Sequence, residues 1–435
     1  MSSASVTRRD LLRRGAGLAL LGGAGSLATL DRLAGDAPAA GNLRKCISLG
    51  GPGSLRVDGH PDDYLLWGNR EYIRDASRTT WVKLWVSWYD LQQELGAAPA
   101  SRAASWTHLN TAPSGQSWLR RLDRQLKAIN DDGLGCILTL YHAFPTWANG
   151  ATGTDPVGGK RPPEQKLPLD LSTNGPWGWF VGYLVARYRK GAAVNAVGPH
   201  EPAAGENASL SRFGNPDGAT IDALEICNEP NQLYWPQEGI APATAQMIRS
   251  GTSLSRTWGG TPIVAPATGD FPDEEDLVNS RGVVDTQWEN FTRAVLGELR
   301  GFRPPVPFHW SHHNYRETRF GEAPARSLRV LRLLHRMARW RLDAQPLWLT
   351  EGGYNMGSHY LDPAEHEAQS RLIERSFRRT MAVREVFMST QHTISDKQGN
   401  NWKGGLRDDF VWGQGLGEPR PAWYTWRDLP GARTR

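Results

Sequence analysis

The 435-residue chain contains few cysteines, little net charge and no long apolar run beyond its N-terminus. The three cysteines, Cys46, Cys136 and Cys227, are odd in number and lack metal-ligand spacing, which excludes a disulfide scaffold and predicts buried thiols. Five Arg and three Asp within positions 1–39 supply +2 of the net charge of +5. The remainder is too small to indicate a nucleic-acid-binding protein. The lack of further apolar runs excludes a polytopic membrane protein.

The N-terminal segment has the order of regions found in export signals. The twin-arginine pair Arg8-Arg9 precedes an apolar, Gly-rich and Ala-rich stretch from Gly15 to Leu30, and the small-residue site Ala37-Pro38-Ala39 follows. This order predicts a removable twin-arginine signal peptide at residues 1–40, recognised by the Tat export machinery of bacteria. We therefore expect a secreted or periplasmic/cell-surface protein without stable membrane insertion. An N-terminal anchor helix is the alternative, although the run is short for one.

Short β-rich runs alternate with helical patterns along residues 41–435, which we interpret as one domain. Near-continuous apolar strands between helices predict parallel pairing with both faces of the sheet covered. Eight such units fit an α/β fold, a single (β/α)8 TIM barrel with enlarged βα loops. A doubly wound open sheet is the alternative, but no Gly-rich phosphate loop follows an early strand. The predicted strands are 47–49, 81–86, 136–141, 223–227, 262–265, 306–310, 347–350 and 386–389, and the clearest helices are 118–130, 177–188, 288–299, 327–340 and 364–383.

Two of these strands end in a glutamate. The fourth strand leads into Asn228-Glu229-Pro230, and Pro230 prevents the strand from continuing, so Glu229 is expected at its mouth. The seventh strand ends at Glu351. The carboxyl ends of barrel strands converge on one face, where active sites lie. Two carboxyl groups there suit cleavage of a glycosidic bond, which needs one protonated acid and one ionised nucleophile.

These two strand ends resemble those of the retaining (β/α)8 glycoside hydrolases of clan A, nearest the cellulase-like family five and the β-xylosidase-like family thirty-nine. The resemblance covers the barrel, and it implies a carbohydrate substrate and no cofactor or metal. It also implies that Glu229 is the acid/base, Glu351 the nucleophile and Asn228 the hydrogen-bond partner of the sugar 2-hydroxyl.

Other segments match the same families. His313-Asn314-Tyr315 resembles the His-x-Tyr motif whose Tyr hydroxyl orients the nucleophile, and His142 resembles a subsite histidine. Two positions depart from the pattern. Lys83 stands where the families usually have Arg, and Lys supplies charge without a bidentate fork. The last strand has Met388 near the place of the usual Trp platform, so Trp402 or Trp412 from the next loop is expected to replace it.

Tryptophan is abundant, with 19 residues against 11 each of Tyr and Phe. Indoles within strands and helices are expected in the core, whereas those at strand ends and in βα loops suit stacking on sugars. The second group comprises Trp88, Trp147, Trp235, Trp402 and Trp412.

Two other functions stay open at this point. Lys83 and Met388 allow a carbohydrate-binding barrel with impaired catalysis. The cluster His309, His312 and His313 allows a metal-dependent hydrolase, although no Glu-x-x-His spacing accompanies it.

Overall fold

The structure is a computed structural model that describes residues 43–431 except 51–59, 112, 152–162, 191–214, 216–217, 237, 274, 279–283, 339–345, 398, 400–401 and 412–414. The predicted signal peptide, residues 1–40, lies outside the described residues, and so does Trp412. Within the described part, no helix is both long enough and apolar enough to cross a membrane.

Eight parallel strands form a closed barrel in chain order, which confirms the predicted α/β TIM barrel. The open-sheet alternative is wrong, because the last barrel strand pairs with the first, with Arg44 opposite Met388 and Ser48 opposite His392. The barrel strands are β1 (Arg44–Ser48), β2 (Trp81–Val86), β3 (Gly135–Leu140), β4 (Ala223–Glu225), β5 (Ile263–Gly269), β8 (Phe308–His313), β9 (Leu347–Glu351) and β10 (Val386–His392); two short pairs lie in loops, β6 (Leu277–Val278) with β7 (Val284–Asp285), and β11 (Ser395–Lys397) with β12 (Arg407–Phe410).

Helices connect these strands, and all five predicted helices are present with ends shifted by a few residues. They are α1 (Asn69–Glu71), α2 (Trp88–Gln92), α3 (Arg102–Thr111), α4 (Pro113–Asp131), α5 (Thr146–Asn149), α6 (Pro176–Tyr188), α7 (Ile240–Trp258), α8 (Trp288–Glu298), α9 (Tyr315–Arg319), α10 (Ala325–Leu333), α11 (Pro363–Thr380) and α12 (Pro421–Asp428); π-helical turns follow at Tyr72–Ala76 and Leu334–Ala338, and 3-10 turns lie at Gln93–Leu95, Pro163–Gln165 and Gly357–His359. Of the described helices that the sequence did not predict, α7 is the longest. Its interior is rich in Ser, Thr and Gly, which have low helix propensity.

The last barrel strand is longer than predicted. It continues from Met388 through His392, so Met388 lies opposite Arg44 at the amino end of the strand, far from the active-site face. The expectation that Met388 stands in place of the Trp platform is therefore wrong, and His392 is the residue at the carboxyl end. The error arose because the polar run from Ser389 to His392 looks like a loop.

The core accounts for much of the tryptophan surplus and for the cysteines. Cys46, Cys136 and Cys227 are buried free thiols, as predicted. The large side chains that are almost fully buried include Trp106, Trp177, Trp258, Trp288, Trp310 and Trp426. These indoles fill the space between helices and barrel and are unavailable to a sugar.

Candidate active site

A cavity of about 850 Å³ opens at the carboxyl ends of the barrel strands. Glu229 and Glu351 both line it, together with Asn228 and His142. Glu351 is the last residue of β9, and Glu229 lies four residues after the end of β4. The structure thus places the predicted pair at the face where (β/α)8 barrels carry their active sites.

The two glutamates lie close together. A carboxylate oxygen of Glu229, one of Glu351 and a ring nitrogen of His313 are all within 4.8 Å of one another. Glu229 has a left-handed backbone conformation, with φ of 45°, and its N–H donates to Ala267 O at 3.0 Å. A non-glycine residue held in this region costs on the order of 1–3 kcal/mol, and such strain clusters at functional sites.

Glu351 is surrounded by groups that favour its ionised form. Lys83 Nζ donates to Glu351 Oε1 at 2.7 Å, and the Tyr315 hydroxyl donates to Oε2 at 2.7 Å. Burial alone would raise the pKa of Glu351, but the positive charges of His313 and Lys83 outweigh it and hold that pKa well below its ordinary value. Glu351 is therefore an anion at neutral pH, as a nucleophile must be.

Lys83 is a partner of this carboxylate. Its side chain is fully buried and is not among the residues that line the cavity, and substrate binding by Lys83 stays a prediction. It also lies 2.7 Å from Glu225 Oε2, which accepts a hydrogen bond from Thr139 Oγ1 at 2.9 Å. The two carboxylates raise the pKa of Lys83 although its burial lowers it.

Glu225 is a residue of the site that the sequence analysis missed. It is the last residue of β4 and has no exposed surface. A signal was present, because a buried ionised group needs an opposite charge, and both Glu225 and Lys83 interrupt apolar strands.

His313 connects the two glutamates. Its Nδ1 is 2.9 Å from Glu229 Oε1 and 3.7 Å from Glu351 Oε2. Burial would lower the pKa of His313, but the charges of Glu351 and Glu229 raise it above its usual range. The ring is fully buried beside Glu229, and substrate binding by His313 stays a prediction.

Four predicted substrate-binding residues line the cavity, namely Asn228, His142, Tyr315 and Trp402. Asn228 and His142 are largely buried there, and neither Asn228 Oδ1 nor His142 Nδ1 has a hydrogen-bond partner among the described residues. His142 stacks on Tyr234 with ring centroids 4.7 Å apart. Trp402 lines the cavity and packs edge-on against Tyr315 at 4.7 Å. These side chains offer polar atoms and one indole face to a bound sugar.

Other predicted indoles lie elsewhere. Trp235 is 2% exposed and its N–H donates to Asn228 O at 2.6 Å, so it supports the backbone of the acid/base loop. Trp147 donates to Gln92 O at 3.0 Å, packs edge-on against Trp88 and does not line the described cavity. Trp88 is itself buried against Phe180. These three indoles pack against neighbouring aromatic rings, and sugar stacking by them stays a prediction.

Two aromatic rings that the sequence analysis did not assign to the site also reach the cavity. Trp85, near the end of β2, lines the cavity, and so does His392 at the end of β10. Both bond to Ser48 Oγ, Trp85 Nε1 at 3.3 Å and His392 Nδ1 at 3.0 Å. His392 is thus the last residue of its strand and contributes its ring to the cavity. Burial lowers the pKa of His392 to about 4, so the ring is neutral at pH 7.

The histidine cluster predicted as an alternative metal site does not form as a unit. His309 stacks on Trp348 at 4.8 Å, and His312 packs beside Trp288 at 5.4 Å. His313 alone of the three joins the two glutamates, with which it makes a group of ligand atoms that a cation could also use.

Comparisons with known proteins extend this description at the level of the fold. No protein-family model and no curated protein matches the chain. A glucosidase from Croceicoccus marinus is 13% identical, with a TM-score of 0.54, over 91% of this chain and 67% of that one. Fpglu1 from Fervidobacterium pennivoraus is 12% identical, with a TM-score of 0.53, over 90% and 96%. A hyperthermophilic β-glucosidase mutant is 13% identical, with a TM-score of 0.50, over 90% and 100%. The chain therefore shares the (β/α)8 barrel fold of these solved structures.

Proposed function

We propose that this protein is a retaining β-glycoside hydrolase acting on oligo- or polysaccharides through a covalent glycosyl-enzyme intermediate. The observation that carries the proposal is the approach of the Glu229 and Glu351 carboxylate oxygens to within 4.8 Å. Retaining enzymes place the two carboxyl groups about 5–5.5 Å apart, whereas inverting enzymes need about 6.5–9.5 Å to admit a water molecule. The short separation supports retention.

In the first step, Glu351 attacks the anomeric carbon and forms a glycosyl ester. The bond from that carbon to the glycosidic oxygen breaks, and Glu229 gives its proton to the departing oxygen. Lys83 and Tyr315 hold Glu351 ionised and oriented for the attack. His313 holds Glu229 in place through the hydrogen bond to Oε1.

In the second step, the Glu229 carboxylate takes a proton from water as that water attacks the anomeric carbon. The ester bond to Glu351 breaks, and both glutamates return to their starting forms. Two inversions at one carbon give net retention of configuration, and the cycle needs no cofactor. Asn228 and His142 supply unsatisfied polar atoms for the sugar hydroxyls. Two of the matched structures are named as glucosidases, which supports a carbohydrate substrate.

A metal-dependent hydrolase is a second candidate, which the clustering of Glu229, His313 and Glu351 favours. The ammonium of Lys83 counts against it, because Nζ already lies 2.7 Å from Glu351 and would repel a second cation. Activity that survives dialysis against EDTA would contradict the metal-dependent alternative, and loss of activity restored by one divalent cation would support it.

A carbohydrate-binding barrel without catalysis is a third candidate, motivated by Lys83 in place of Arg. The contacts of Lys83 with Glu351 and Glu225 weaken it, since the positive charge stands beside the nucleophile. Saccharide binding without any hydrolysis over a long incubation would favour this candidate.

Substitution of the nucleophile tests the proposed function. Glu351→Ala is expected to abolish turnover of an aryl β-glycoside, because the ester can no longer form. Azide fits the space left by the carboxylate, so added azide is expected to restore part of the activity and to yield a glycosyl azide of inverted configuration. Unimpaired activity of Glu351→Ala, measured with the same substrate, would contradict the assignment.

We also propose export by the Tat route, followed by removal of residues 1–40. The Arg8-Arg9 pair and the small residues Ala37-Pro38-Ala39 support this proposal. A bacterial host with a functional Tat system is expected to release a protein whose N-terminal sequence begins near Gly41. Arg8→Lys with Arg9→Lys should keep the protein unprocessed in the cytoplasm, and normal processing of that variant would contradict the proposal.

A further inference from the structure

Four side chains form one side of the active-site cavity, which we call the arginine–phenylalanine wall: Phe271, Arg316, Arg319 and Phe320. The guanidinium of Arg316 lies 4.4 Å from the ring centroid of Phe271 and 5.4 Å from that of Phe320. Phe320 is 51% exposed, although large apolar side chains in this protein are mostly buried. An exposed ring and two guanidinium groups facing one cavity are a binding surface that the proposed catalytic steps do not use.

The wall lies on the side of Glu229. A side chain at Gly269, the last residue of β5, would contact both Gln232 Nε2 and Glu229 Oε1, so these three positions are adjacent. The Gln232 carboxamide donates to Phe271 O, which links the acid/base loop to the start of the wall. Since Glu229 gives its proton to the departing oxygen in the proposed function, on which this inference rests, the leaving group lies against this wall.

The position of the wall is fixed by the helix that carries its arginines. Arg316 and Arg319 are three residues apart on α9, so they share one side of it. The backbone N–H groups of Arg316 and Glu317 donate to the Asp270 carboxylate at 3.0 and 2.9 Å. Both oxygens of Asp270 accept these hydrogen bonds. The buried Asp270 carboxylate therefore already has partners within the protein.

The charges of the two arginines are only partly balanced within the protein. Arg316 lies 3.7 Å from Asp273, but Asp273 is bound more closely by Arg326. No ion pair of Arg319 is found among the described residues, and its nearest ring is Tyr354 at 5.9 Å. Asp396, which also lines the cavity, pairs with Arg420 at 2.6 Å. Two guanidinium groups therefore face the leaving-group side with capacity for an anion.

We propose that the preferred leaving group is a cyclic molecule that bears a carboxylate, either a uronate residue or an aromatic acid. Its ring packs on Phe271 and Phe320, and its carboxylate is bound by Arg316 and Arg319. Guanidinium groups bind carboxylates through paired hydrogen bonds, and aromatic rings bind the apolar faces of sugars and other rings.

Matched substrate pairs test this proposal. One pair is a β-linked disaccharide ending in glucuronate and its counterpart ending in glucose, and the other is a 4-carboxyphenyl β-glycoside and its 4-carbamoylphenyl counterpart. We expect kcat/KM to favour the acid about tenfold in at least one pair, which corresponds to about 1.4 kcal/mol. Preference in the disaccharide pair identifies a uronate as the ligand, and preference in the aryl pair identifies an aromatic acid. Raising the salt concentration should reduce the preference, because exposed charges are screened.

Variants of the exposed arginine separate a specific contact from a general effect of charge. Arg319→Ala should lower kcat/KM for the acid much more than for the neutral substrate and so remove most of the preference, and Arg319→Lys should keep part of it. Arg378→Ala on the outer helix α11 removes a charge that pairs with Glu374 and should leave the preference unchanged. Equal kcat/KM for acid and neutral substrates in the unmodified protein would overturn this inference alone. Failure to hydrolyse even the neutral glycosides would overturn the proposed function and this inference with it.

Discussion

The buried triad of Lys83, Glu225 and Glu351 determines the charge of the nucleophile. One ammonium group lies 2.7 Å from each of two carboxylates, and none of the three side chains is more than slightly exposed. Removing one partner of a buried ion pair leaves an uncompensated charge, which costs about 3–5 kcal/mol. In this site the second carboxylate, Glu225, also keeps Lys83 protonated and in place. A lysine paired in this way can replace the usual arginine as the cation beside Glu351.

The triad predicts different pH effects for two substitutions. Lys83→Met removes the cation, so the pKa of Glu351 rises and activity is lost at a higher pH on the acid side of the kcat/KM profile. Loss of this preorganised charge should also lower kcat by about a hundredfold or more. Glu225→Gln removes a negative charge instead, so the acid limb should not move to higher pH.

The pH dependence of kcat/KM checks this prediction, with circular dichroism to verify that each variant is folded. Lys127→Met is the control, because Lys127 lies on α4 and pairs with the exposed Asp131. An acid limb that is identical in Lys83→Met and the unmodified protein would show that Lys83 does not control Glu351.

At the scale of secondary structure, the ends of the strands decide which side chains reach the cavity. An apolar run that stops at a polar residue is the signal for a strand end, and it placed Glu351 correctly. It was two residues out for β4, which ends at Glu225 although the apolar run continues to Cys227. The same rule failed for β10, which continues through the polar residues from Ser389 to His392. Ser389, Thr390 and Gln391 are buried in this strand although they are polar. The sequence rule therefore missed His392.

The end of β5 sets the space available to the acid/base. A Cβ atom at Gly269 would lie 2.9 Å from Gln232 Nε2 and 3.1 Å from Glu229 Oε1, so Gly269→Ala must displace Glu229, Gln232 or both. Small misplacements of a catalytic group cost up to about a hundredfold in rate. We expect kcat/KM to fall about tenfold or more for glycosides with poor leaving groups, and much less for activated aryl glycosides, which need little acid assistance.

Gly297→Ala is the matched control for this substitution. Gly297 lies in α8, and no atom would be within 4 Å of a Cβ there, so its kinetics should equal those of the unmodified protein. Equal effects of Gly269→Ala on both classes of substrate would indicate that the glycine does not position the acid/base.

For the whole molecule, the alternation of strands and helices was enough to predict the barrel, because every strand–helix unit must bury its apolar face in the same way. The catalytic pair followed from two strand ends. The residues that contact this pair were harder to predict from the sequence, because contacts such as that of Lys83 with Glu225 join segments far apart in the chain. The indoles show the same limit. Trp235 lies in a loop and Trp147 on the short helix α5, and the N–H of each donates to a backbone carbonyl, because position along the chain does not fix the direction of a side chain.

The stereochemistry of hydrolysis tests the account most directly, because it depends on the geometry of the complete site. Proton NMR can follow the anomeric signal of the first sugar released from a β-glycoside, before mutarotation. With the Glu229 and Glu351 carboxylates within 4.8 Å, the first product should be the β-anomer. The α-anomer as first product would contradict the covalent mechanism and the roles assigned to both glutamates.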